Sequence, residues 1–184
     1  MKLYLCILLC LSGTGLLAQE VKQEQEQRVV VDQMPSEALR YLKTLTGNKK
    51  RIKYYREQDG ESRSYEAKFK LRGSKYSVEF DQNGKLEDIE IIQDEREMGA
   101  ALARVTNYLE TQFERHRIEK IQAHYEPKPT FNAVTPGVPD AWELIVATKN
   151  TENKLERFEM TFDAAGKYLN SRKVVRRSYE FLLF

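Results

Sequence analysis

The chain has 184 residues, 30 of them basic and 28 acidic, so 32% of it is charged while the formal net charge is only +2. That near-cancellation argues against a nucleic-acid binder or a polybasic membrane-surface protein, both of which need a surface of one sign. Apolar residues at 41%, with ten tyrosines and eight phenylalanines, supply bulk for a globular core and exclude wholesale disorder.

Met1-Lys2 is a short basic start, Leu3 to Leu11 is apolar, and Ser12-Gly13-Thr14-Gly15 leads to Leu16-Leu17-Ala18-Gln19. This is the layout of a secretory signal peptide over residues 1–18, with cleavage expected after Ala18 and a retained anchor as the alternative. Cys6 and Cys10 each follow a leucine rather than a small residue, so lipid attachment is not expected. Both cysteines leave with the leader, which excludes disulfides and thiolate chemistry from the remainder. The reading is therefore of a periplasmic or secreted protein with no membrane span after cleavage.

Residues 19–33 open with Gln, Glu and Lys and read as a polar N-terminal tail. A first unit is expected over 34–93. Pro35-Ser36-Glu37 opens a helix carrying Ala38, Leu39, Leu42 and Leu45, and Gly47-Asn48 stops it. Four strands follow. Ile52 and Tyr54 share a parity; Tyr65, Ala67, Phe69 and Leu71 alternate with Glu66, Lys68 and Lys70; Tyr76, Val78 and Phe80 alternate with Ser77 and Glu79. Asn83-Gly84 turns the chain into Leu86 to Ile92.

A second unit is expected over 94–184. Met98, Leu102, Val105, Leu109 and Phe113 mark a helix from about Asp94 to Arg115. Strands follow around Ile121 to Tyr125, Trp142 to Val146, Phe158 to Phe162 and Tyr168 to Val175, with a Pro-rich stretch from Pro127 to Pro139 between the first two. Phe80-Asp81-Gln82-Asn83-Gly84-Lys85 matches Phe162-Asp163-Ala164-Ala165-Gly166-Lys167, Tyr41-Leu42 matches Tyr108-Leu109, and Tyr65-Glu66 matches Trp142-Glu143. These ordered matches read as an internal duplication.

On those residues the chain resembles the PepSY-like family, related to β-lactamase-inhibitor-like domains and secreted by bacteria. The resemblance implies an α+β fold of two tandem helix-plus-four-stranded antiparallel meander units, with sheets joined or abutting and helices on one face. It also implies a non-enzymatic, protein-binding role in the envelope.

The residues themselves offer little catalytic chemistry. Asp81 and Asp163 recur just before glycine turns, where such side chains form the turn rather than a catalytic pair. His116 stands at the charged end of the second helix, and His124 faces outward among Lys120 and Gln122. Neither histidine has a ligand partner at sequence spacing, so no metal, cofactor or catalytic residue is assigned.

Partner binding is placed on the strand parity opposite the aromatic set. Tyr55, Lys68, Glu79, His124, Glu143, Ile145, Arg157 and Glu159 are expected to form an open, mixed-charge sheet face that recognises an envelope or secreted protein. A small-ligand carrier or enzyme with a pocket between helix and curved sheet is the alternative. An outer-membrane barrel fits the strand count but not the long amphipathic helix between hairpins.

Overall fold

A computed structural model describes residues 21–22, 24–47, 51–128 and 136–174. The expected leader, the centre of the Pro-rich stretch and the end of the chain lie outside the described residues. The elements in order are β1 (Val21–Lys22), β2 (Glu24–Val29), α1 (Ser36–Thr46), β3 (Ile52–Asp59), β4 (Ser62–Leu71), β5 (Ser74–Phe80) and β6 (Leu86–Ile92). Then follow α2 (Ala100–Gln112), β7 (His116–Tyr125), β8 (Ala141–Lys149), β9 (Leu155–Asp163) and β10 (Tyr168–Val174). Short 3₁₀ turns at Val31–Gln33 and Glu95–Met98 precede the two helices.

All ten strands form one sheet in the order β1-β10-β9-β8-β7-β6-β5-β4-β3-β2. Every pairing is antiparallel except β1 with β10. The expectation of two tandem helix-plus-four-stranded α+β units is overturned by the β6–β7 pairing. Ile89↔Tyr125 through Ile92↔Gln122 carries the ladder across the presumed boundary at 93/94, so the strands make one sheet. Among the described residues strand dominates, with two α-helices of 11 and 13 residues beside it.

The segment expected as a polar tail supplies the first two strands. β1 and β2 stand at opposite edges of the sheet, yet a single residue separates them. Val21↔Lys173 and Lys22↔Val174 join this segment to β10, while Glu24↔Asp59 through Val29↔Tyr54 join it to β3. Two adjacent Cα atoms span only about 3.8 Å, so the sheet must curl until its edges meet at this seam. The side chain of Arg172 on β10 donates to Asp59 on β3 at 3.0 Å across the same seam. The sequence Glu-Gln-Glu-Gln-Arg has poor strand propensity; it becomes strand because two open edges each need a partner.

One face of the sheet carries the apolar core, and both helices cover it. Phe80, Phe162, Leu42, Leu109, Leu144 and Val78 are fully buried there. Tyr41 of α1 meets Phe80 edge-on at 6.0 Å between ring centroids. Tyr108 of α2 meets Phe162 edge-on at 5.6 Å and stacks on Tyr168 at 4.4 Å. The strand parity assigned to the core (Tyr54, Tyr65, Phe69, Tyr76, Val78, Phe80, Trp142, Leu144, Phe158, Met160 and Phe162) all lies in this cluster. The second helix is shorter than expected because Gly99, at φ +54°, separates a 3₁₀ turn from α2. His116 is the first residue of β7 and not the end of a helix.

The recurring Phe-Asp-x-x-Gly-Lys motif builds two turns that seat the helices. Asp81 Oδ1 accepts from the amides of Asn83 and Lys85, and Asp163 Oδ1 accepts from those of Ala165 and Lys167, at 2.8–2.9 Å. Gly84 and Gly166 adopt φ of +89° and +84°. A Cβ on Gly84 would lie 2.8 Å from the Ala38 amide nitrogen, and one on Gly166 would lie 2.4 Å from the Ala101 carbonyl oxygen. Gly166→Ala is therefore expected to lower stability by about 3 kcal/mol through left-handed strain plus backbone collision. Gly60→Ala, also at positive φ but with nothing within 4 Å, should lose about 1 kcal/mol. Urea unfolding compares the two; equal losses would remove the helix contact from the account.

Candidate functional site: the inner face of the rolled sheet

Alternation along each strand sends the other parity into the hollow of the curled sheet. Register aligns it in rows: Lys53, Lys68, Ser77, Glu90 and His124 stand side by side across β3 to β7, and Tyr55, Glu66, Glu79 and Asp88 across β3 to β6. Glu143, Ile145, Arg157, Glu159 and Arg172 complete the surface from β8 to β10.

All eight residues expected on an open partner-binding face lie together on this inner face, but the face is not open. Ile145 is 2% exposed, Glu159 5% and Lys68 7%. Tyr55, Glu79, His124, Glu143 and Arg157 are half-buried. Strand alternation is the same for a flat sheet and a rolled one, so it identified the face without revealing that closure roofs it over. Glu57, Glu66, Ser77, Asp88, Glu90, Gln122 and Arg172 share the face and were outside the expected set, although alternation had put Glu66, Ser77 and Gln122 on its parity.

The hollow is neutralised by short-range ion pairing. Lys68 Nζ contacts Glu26, lies 2.5 Å from Glu66 and 4.0 Å from Glu57, and sits 4.9 Å from the Tyr55 ring centroid. The Ser77 hydroxyl donates to Glu66. Burial alone would lower the Lys68 pKa, but Glu66, Glu26 and Glu57 outweigh it and hold the ammonium above its ordinary range. Farther round, Arg172 bridges Glu159 at 2.6 Å and Asp59 at 3.0 Å. Arg157 bonds Glu119 at 2.7 Å and thereby holds that carboxyl below its usual range.

Asp88 departs from this pattern. Its Oδ1 is buried with no hydrogen-bond partner among the described residues. Burial first, then repulsion from Glu90, pushes its pKa up to about 7, against a smaller opposing pull from His124.

At the end of the hollow near the β3–β4 hairpin, the inner face opens into a cleft of about 670 Å³. Five carboxylates (Glu57, Asp59, Glu79, Asp81 and Glu87) line it against Arg63 and Arg172. Between the helices and the sheet, aromatic and aliphatic side chains pack as the core.

Several structures are similar to this one. A BLIP-like protein from Bacteroides fragilis matches with a TM-score of 0.50 at 21% identity, over 78% of this chain and 89% of that one. The fold resembles that of BLIP-like proteins. A DUF2874 family protein from Bacteroides ovatus matches with a TM-score of 0.53 at 10% identity, over 76% and 87% of the two chains. A protein from Bacteroides eggerthii described as periplasmic matches with a TM-score of 0.52 at 13% identity, over 76% and 88%. These likenesses support the β-lactamase-inhibitor-like fold of the expected resemblance and give no support to its PepSY-like side or to a tandem repeat. No family model matches the chain, and no curated protein does.

Two outcomes check the electrostatics of the hollow. Lys68→Met should lower stability by about 3–5 kcal/mol, because three carboxylates lose their shared buried counter-ion; a loss under about 1 kcal/mol would mean the hollow is wet and screened. For Asp88, the folded pKa lies above the unfolded value of 3.8. Folding is thus unpenalised below that value and loses stability as pH rises toward about 7. Asp88→Asn should leave the melting temperature unchanged near pH 4 and raise it at pH 8.

Proposed function

We propose that the chain is an exported, non-catalytic periplasmic module that captures a protein partner through the acidic mouth of its rolled sheet. The observation that carries this reading is the cleft beside the β3–β4 hairpin, where five carboxylates face two guanidinium groups. A basic loop or terminus of an envelope protein complements that charge. The likeness to a BLIP-like protein supports a binding role, and that to a protein described as periplasmic supports the compartment.

How several of the polar residues are used supports a non-catalytic role. Asp81 and Asp163 are engaged in turn hydrogen bonds. Lys68, Glu66, Arg172 and Glu159 are engaged in buried ion pairs. Groups committed in this way hold the hollow together and are not poised for proton transfer.

Immobilised wild type and the variant E79Q/E87K, challenged with a periplasmic extract, test the reading. The wild type should retain a discrete partner that moderate salt elutes, and the variant should retain about tenfold less while melting like the wild type. Equal retention by both would remove the acidic mouth from the mechanism. No retained partner would remove the binding role.

A further inference from the structure

Strand pairing brings together three side chains that are far apart in sequence. Glu90 on β6 stands opposite His124 on β7, and Glu143 on β8 stands two residues along from it on the same face, opposite Gln122. One ligand atom from each of Glu90, His124 and Glu143 lies within 4.8 Å of the others. His124 Nδ1 is buried without a hydrogen-bond partner among the described residues and faces Glu143 Oε1 at 4.0 Å. A buried imidazole nitrogen left unbonded is costly unless something fills its lone-pair direction.

The inner face holds a second carboxylate cluster, Glu26, Glu57 and Glu66, and there the Lys68 ammonium sits among the oxygens. The His124 cluster differs in its donors. Imidazole with two carboxylates is a transition-metal set rather than a calcium or magnesium set. Donor atoms around a tetrahedral zinc ion stand about 3.3 Å apart, so side-chain rotations on fixed strands suffice to close the set. Gln122 donates its side-chain amide to Glu90, which is the outer-shell contact that orients a ligating carboxylate.

We propose that Glu90, His124 and Glu143 form a binding site for a first-row divalent metal ion, zinc in class, inside the rolled sheet. Three protein ligands on three adjacent strands leave the fourth position to water. The ion would lock β6, β7 and β8 together at mid-sheet. The proposal stands apart from partner capture, since it uses a different part of the inner face.

Cobalt(II) serves as the spectroscopic probe and zinc(II) as its competitor, with the intact purified protein. One equivalent of cobalt should produce a visible d–d spectrum that zinc abolishes, and zinc should raise the melting temperature. H124Q and E143Q should each weaken binding by at least about tenfold, whereas H116Q, at the far end of β7, should bind as the wild type does. Circular dichroism shows which variants fold; if H124Q does not, E143Q decides. Wild-type protein that binds no cobalt, or variants at positions 124 and 143 that bind it unchanged, would overturn the site.

Discussion

A sheet rolled until its edges touch has to fill its own hollow, and in this chain the filling is ionic. Lys68 on β4 is the centre of that filling, reached by Glu26 from β2 and by Glu66 on its own strand. Glu26 belongs to the strand that closes the sheet. Adding β2 to the sheet therefore brings the buried ammonium a further counter-ion besides Glu66. Removing a partner from a buried pair leaves an uncompensated charge, and that debt anchors a strand which its own propensities would not hold. Arg172 does the same from the other edge, joining β10 to Asp59 at the end of β3.

The two faces of the sheet divide the work. The helix-covered side is apolar and aromatic and supplies most of the buried area. The inner side contributes less net stability, since desolvation offsets much of the Coulomb gain. Its contribution is register. A one-residue slip of any strand would carry Glu66, Lys68 or Glu159 into the aromatic layer beneath the helices and bring Phe80 or Phe162 into the ionic one.

Much of this was legible in the residues. Alternation fixed the strands and the core parity, and the doubled Phe-Asp-x-x-Gly-Lys motif located both turns that seat a helix. Two things were not legible. The β6–β7 pairing that makes one sheet depends on hydrogen bonds between segments whose side-chain pattern is the same whether they pair or end a unit. The curl of the sheet depends on β1 and β2, which are largely polar and carry no strand signal; their structure is imposed by the edges they meet. Exposure of Ile145 and Lys68 was misjudged for that reason, and the grouping of Glu90 and Glu143 with His124 was missed because it exists only across strands.

The seam also dictates an order of assembly. Its two halves join the start of the described chain to β3 on one side and to β10, the final strand, on the other. The pairing of Val21 with Lys173 joins the two ends of the described chain, and the entropy of closing a loop grows with its length. β1 must wait for β10, whereas β2 can pair with β3 at once. Until then the outer edge of β10 is bare, and the hollow is an open trough along that side.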